Sequence, residues 1–276
     1  MLYKKINLKN RFNQLENDVE LVSYCIDNSK EIDINKKRKT VIIFPGGGYK
    51  SVSFREGEPV ALRLVADDIN AFVVHYNVGP YEYPYPIIEG FAAIAYVREH
   101  AEEYHVDINQ ICVMGFSAGG HFAACLGAFH NKQEYADMLN VPLSEIKING
   151  VLLGYPVITM TIGTIAGTRD QLLNNNPELK DYYSIEKQVG EEYPKTFIWT
   201  TDTDNCVDPI QTLMFANALK KAHVNFELHY YPIGPHGASL ANEGLYGLSW
   251  KEEWAKCSSY ENNWIDMAIN FIKKII

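Results

Sequence analysis

The 276-residue sequence predicts an α/β architecture, a mostly parallel sheet with helices on both faces, and three observations carry that prediction. Short apolar, β-branched runs alternate with stretches of helical spacing from residue 41 onward. The runs are apolar throughout rather than at every second position, as expected of strands buried on both faces. Glycines gather where such runs stop, as PGGG at 45–48 and as GFSAGG at 115–120.

The elements follow in order. VIIF opens 41–48 as a strand that ends in a glycine loop, and EPVALRLVADD (58–68) has helical spacing. AFVVHYNV (71–78) is a strand, and 85–104 reads as a long amphipathic helix with Pro86 in its first turn. QICVMGFS (110–117) is a strand that feeds a helix over 118–130. INGVLLGYPVI (148–158), KTFIWTTD (195–202) and FELHYYPI (226–233) are strands; 209–223 and 261–276 are helices. The first forty residues lack the alternation. NDVELVSYCID (17–27) reads as a strand with no helix behind it, which fits antiparallel strands at the N-terminal edge of the sheet. Residues 159–194 also break the pattern. They are polar, with one helical piece near 177–190, and a connection of this length after a strand end reads as a lid or pocket wall. No linker composition divides the chain, so 1–276 reads as one domain.

Composition narrows the function. A net charge of -9 disfavours nucleic acid, which selects a basic face. No run approaches the roughly 20 apolar residues that cross a membrane. The N-terminal lysines have no apolar stretch behind them, so a secretory leader is not expected. Cys25, Cys112, Cys125, Cys206 and Cys257 are odd in number and scattered, which suits reduced thiols in the cytoplasm and offers no zinc spacing. A homodimer is compatible with this composition, although no residue singles out an interface.

The chemistry concentrates at strand ends, where sheets of this kind collect ligands. Gly115-Phe116-Ser117-Ala118-Gly119 has the G-x-S-x-G form of a nucleophile elbow: the glycines allow a sharp strand-to-helix corner, with the serine hydroxyl exposed beside the next amide. On its own the motif also describes a glycine-rich turn with a capping serine. A serine hydroxyl needs a base, and the base an acid, in chain order Ser, acid, His. His236, between Pro235 and Gly237, sits in a turn after a strand and is the candidate base. His223 ends a helix, His229 lies within a strand and His121 points away from the serine. For the acid, Asp202, Asp204 and Asp208 all follow the strand at 195–202, with Asp208 suited to capping the next helix, and spacing does not choose among them. Three glycines after the strand at 41–44 can bring backbone amides to an oxyanion, with Ala118 as the second arm; the Lys-Ser/Thr end of a phosphate loop is missing. Tyr49, Tyr76, Tyr81, Tyr83 and Tyr155 lie near strand ends. Tyr49 and Tyr155 are the candidates to stack on a sugar, against a plain packing role.

Taken together, FPGGGY, GFSAGGHFAA, LLGYPVITM, SIEKQV and GPHGASLA make the chain resemble the α/β-hydrolase superfamily, over about residues 38 to 241. Within it the chain is similar to small acetyl-xylan-esterase-like, cinnamoyl-esterase-like or hormone-sensitive-lipase-like esterases. That resemblance implies Ser117 as nucleophile, His236 as base and Asp204 as acid, because DNCV keeps most of an Asp-x-x-Val-Pro motif. It also implies oxyanion amides from Gly47, Gly48 and Ala118, no cofactor or metal, and a small ester substrate such as an acetylated sugar. Two residues depart from it: Pro45 stands where the lipase-like motif has histidine, and Asp208 where the acid motif has proline. The stretch 242–260 is longer than the resemblance would suggest. Amide cleavage on the same residues, or a catalytically silent binding protein, would share every one of these features.

Overall fold

A computed structural model describes residues 1–80, 84–163, 166–246, 252 and 260–276. Tyr81, Tyr83 and Cys257 lie outside the described residues. The strands are β1 (Leu2–Asn7), β2 (Glu20–Cys25), β3 (Arg38–Phe44), β4 (Asn70–His75), β5 (Val106–Phe116), β6 (Gly150–Gly154), β7 (Lys195–Thr201) and β8 (Phe226–Tyr231). They form one eight-stranded sheet in the order β1-β2-β4-β3-β5-β6-β7-β8. The β1–β2 and β2–β4 pairings are antiparallel and all the others are parallel. The antiparallel edge is therefore where the sequence put it, although LYKKIN itself gave no strand pattern.

The helices are α1 (Glu58–Ala66), α2 (Ile87–Glu99), α3 (Ser117–Phe129), α4 (Gln133–Leu139), α5 (Ala166–Leu173), α6 (Ile210–Lys221) and α7 (Trp264–Lys274). The apolar strands alternate sides. Ile42 and Phe44 of β3 enter the core under α2, α3 and α6, while Val41 and Ile43 enter the core under α1 and α7. Burial on both faces is what selects continuous runs such as VIIF.

Two expectations need correcting. The helix at 87–99 is buried almost all round rather than amphipathic, Glu89 included, because α3, α4 and the short turns Leu8–Asn10 and Leu143–Ile146 enclose it. The helical piece expected near 177–190 lies earlier, at α5; 177–190 carries only the 3-10 turns Pro177–Lys180 and Ile185–Lys187. Asn174 and Asn175 take the left-handed conformation and end α5, and Pro177 starts the next turn. Gln211 of α6 ties down the start of this connection: its amide oxygen accepts from the Ile158 and Thr159 N–H groups, and its nitrogen donates to the Gly163 carbonyl. Among the described residues no helix is long and apolar enough to cross a membrane.

Candidate active site

Ser117 stands where β5 turns into α3, with φ of +54°, a left-handed conformation that is costly for a residue with a side chain. The corner closes because two glycines leave no side chain in the way. A Cβ on Gly115 would meet the Gly119 carbonyl oxygen at 2.0 Å, and a Cβ on Gly119 would meet the Phe44 oxygen at 2.1 Å. The serine is thereby fixed at the carboxyl edge of the sheet with α3 starting beneath it. Ser117 is thus the first residue of α3, at a helix N-terminus with its partial positive charge.

His236 Nε2 is 2.8 Å from Ser117 Oγ, and His236 Nδ1 is 2.7 Å from Asp204 Oδ2. A carboxylate can only accept, so Nδ1 carries the proton and Nε2 is left to accept from the serine hydroxyl. Asp204 keeps its other oxygen for the Cys206 and Val207 N–H groups, at 2.8 and 2.9 Å, which fixes the carboxylate plane. Its side chain is fully buried and that of His236 is 14% exposed, so their contact is shielded from water. The competing aspartates are engaged elsewhere: Asp202 accepts from the Tyr230 hydroxyl, and Asp208 accepts the Ile210 N–H at the start of α6. His229 bonds Glu227. His121 lies in the core, where it accepts from the Tyr49 hydroxyl at Nδ1 and donates from Nε2 to the Tyr183 carbonyl. Burial pushes its pKa down to about 4, so it is a neutral structural group at ordinary pH.

The PGGG loop follows β3 and runs directly against the serine: a Cβ on Gly46 would lie 2.9 Å from Ser117 Cβ. Gly47 has φ of +134°, and a side chain there would collide with the Ser51 carbonyl. The Gly46 N–H is taken by Glu56 at 2.7 Å, so it is not a free donor of the loop. Helix α5 sits on the outside of this loop, with Thr168 beside Gly48 and Gly167 beside Lys50.

The two tyrosines expected to stack on a sugar do not offer a face to solvent. Tyr49 and Tyr155 are each 1% exposed. Tyr49 bonds His121, and Tyr155 donates to Glu56 while its ring packs against that of His236 with centroids 5.0 Å apart. Tyr76 is also buried and donates to the Pro45 carbonyl. All three therefore build the walls behind the site. Glu56 was not legible as part of it: within FREGEP it reads as one more polar turn residue, indistinguishable from Glu58.

A model of the BD-FAE family matches residues 26–219. Endo-1,4-beta-xylanase B of Butyrivibrio fibrisolvens is 34% identical over 221 residues, 76% of this chain and 34% of its own length. An acetylxylan esterase of Xylanibacter ruminicola is 27% identical over 214 residues, 74% of this chain and 42% of its own. The chain thus spans well under half the length of these curated relatives. The crystal structure of an acetyl ester-xyloside bifunctional hydrolase from Caldicellulosiruptor lactoaceticus superposes with a TM-score of 0.81 at 33% identity, covering 99% of this chain and 96% of that one.

Proposed function

We propose that this chain, which belongs to the BD-FAE family, hydrolyses carboxylic esters of small acyl groups through an acyl-enzyme formed on Ser117. The observation that carries this reading is the unbroken line Asp204–His236–Ser117, with contacts of 2.7 and 2.8 Å in the order a serine nucleophile needs. Ser117 Oγ attacks the ester carbonyl as His236 Nε2 takes its proton. The tetrahedral oxyanion is held by amides of Gly47, Gly48 and Ala118, each such donor being worth about 10²–10³ in rate. The imidazolium, stabilised by the Asp204 carboxylate at Nδ1, then protonates the leaving alcohol from Nε2, and a water, deprotonated by the same imidazole, attacks the acyl-enzyme to release the acid and free Ser117.

Among esters, acetyl groups on xylo-oligosaccharides are the substrates we favour. Two similar proteins are named as an acetylxylan esterase and an acetyl ester-xyloside hydrolase, and the connection 159–194 would act as a pocket wall beside the glycine loop. We read 1–276 as one domain, since one sheet carries both cores. Among the described residues four cysteines are free, three of them buried, which supports a reducing compartment.

Ser117→Ala is the direct test. Hydrolysis of p-nitrophenyl acetate should fall by roughly 10⁴–10⁶ in kcat with the melting temperature retained. Unchanged turnover in that variant refutes the mechanism. Failure to release acetate from acetylated xylo-oligosaccharides would remove the sugar substrate and leave the esterase.

A further inference from the structure

A buried carboxylate that is not the acid of the site stands behind the serine. Glu56 is 3% exposed, and both of its oxygens are used. Oε2 accepts the Gly46 N–H at 2.7 Å, and Oε1 accepts the Tyr155 hydroxyl at 2.7 Å. Burying a carboxylate is costly even when it is hydrogen-bonded, and an apolar residue would fill the same space at less cost. What distinguishes Glu56 is the pair of loops it joins. Gly46 leads into the glycine loop. On the other side, the Tyr155 hydroxyl accepts the Ser239 N–H at 3.0 Å, three residues beyond His236, and the Tyr155 ring lies edge-on to the imidazole. A second tie runs parallel to the first, because the Ser239 hydroxyl donates to the Arg55 carbonyl at 2.5 Å. Trp264 of α7 fixes the assembly from below through the Ser239 carbonyl. Tyr155 and Ser239 have φ of +36° and +53°, strained values that persist only where the surroundings over-determine them.

We propose that Glu56 is a positioning residue for ester hydrolysis. With Tyr155 it forms a strut that sets the glycine loop and the histidine loop in one register, so that the amides and the imidazole converge on the same hydroxyl. This rests on the reading of Ser117 as nucleophile and His236 as base. The strut does not touch substrate, so it acts on the transition state and not on ground-state binding; misplacement of catalytic groups by about 1 Å can cost on the order of 10²-fold.

The test compares Glu56→Gln, Tyr155→Phe and the double variant in the full chain. Active sites are counted with a fluorophosphonate and folding is checked by thermal melting. Per titrated site, kcat on p-nitrophenyl acetate should fall about 10- to 100-fold, with KM within about threefold, and inhibition by a boronic acid should weaken in parallel because the adduct is tetrahedral. The double variant should be no worse than the more damaged single one, because both substitutions cut one strut. If Glu56→Gln does not fold, Tyr155→Phe decides alone, since it removes one oxygen and leaves the ring against His236. Per-site kcat within twofold of wild type, or KM and kcat changing together with no loss of boronate affinity, overturns the proposal. Failure of the underlying reading would look different: Ser117→Ala would keep its activity, or wild type would not react with the fluorophosphonate.

Discussion

At the serine corner the backbone touches itself. Gly115 packs on Gly119, and Gly119 on Phe44 and Pro45, with contacts that no side chain would survive. A few ångströms away the glycine loop is also rich in glycine, yet hydrogen bonds and side chains hold it: the Lys50, Ser51 and Ser53 N–H groups bond back to Gly47 and Gly46, Glu56 takes the Gly46 amide, Tyr76 the Pro45 carbonyl, and Thr168 packs against Gly48. One half of the site is aimed by backbone packed against backbone and the other by hydrogen bonds. The corner should therefore fail abruptly when its glycines change, and the loop should fail by degrees as its supports are removed.

The largest effect is expected from Gly119→Ala. The new methyl would stand 2.1 and 2.4 Å from two carbonyl oxygens of β3 and the loop after it, and backbone there cannot move without opening the sheet. Overpacking of this kind costs roughly 1–3 kcal/mol or more, and the displaced serine loses its aim as well. Fluorophosphonate labelling should vanish and the melting temperature should fall by about 5 °C or more. A variant that labels normally would show the corner to be less rigid than its contacts imply.

Gly47→Ala should do less to the fold and nearly as much to the reaction. The residue is half-buried at φ +134°, and an added Cβ would collide with the Ser51 carbonyl, so the loop must change shape. If its amides hold the oxyanion, kcat should drop by about 10²–10³, with the melting temperature moved only slightly. Equal losses in both measurements would erase the contrast with Gly119. Tyr76→Phe sharpens the comparison further. It removes one hydroxyl from the Pro45 carbonyl, a neutral hydrogen bond worth about 1 kcal/mol, and kcat should fall by only about fivefold, read from initial rates at saturating ester.

The same division explains what could be read from the sequence. The alternation of strands and helices and the serine corner were legible because alternating apolar runs and paired glycines are local rules, and each run carries them whole. His236 was legible because it sits between a proline and a glycine in a turn after a strand. Residue spacing could not choose Asp204 over Asp202 and Asp208, since the choice depends on which carboxylate faces a histidine 32 residues on, and only the resemblance favoured it. Tyr49 and Tyr155 were misjudged as sugar platforms because a tyrosine at a strand end looks the same whether its ring points out or in. Glu56 was missed for the converse reason, since nothing local marks a turn carboxylate for burial. The helix at 87–99 looked amphipathic because its outer neighbours, α4 and two short turns, come from other parts of the chain.

His121 lies on the hydrogen-bonded side of this division and offers the smallest effect on turnover, together with a pH signature. Its ring is enclosed by Tyr49, Tyr183 and Cys125, with both nitrogens engaged. Burial lowers its pKa from 6.5 to about 4, so between those values the unfolded chain takes up a proton that the folded chain refuses. Stability from this group is complete above pH 6.5 and is lost as the pH falls toward 4. His130, also held at about 4 by burial, adds loss in the same direction, whereas Glu89, raised to about 7 by burial, acts in the opposite sense. The useful measurement is therefore the difference between wild type and His121→Gln, which cancels those other groups. Gln can keep a donor to the Tyr183 carbonyl but does not titrate. Its melting temperature at pH 7 should be lower than that of wild type, and its further fall on going to pH 4.5 should be smaller by about 5 °C. Parallel melting curves across that range would mean that His121 takes up its proton in the folded protein as readily as outside it, and that the Tyr49 wall behind the glycine loop opens to water.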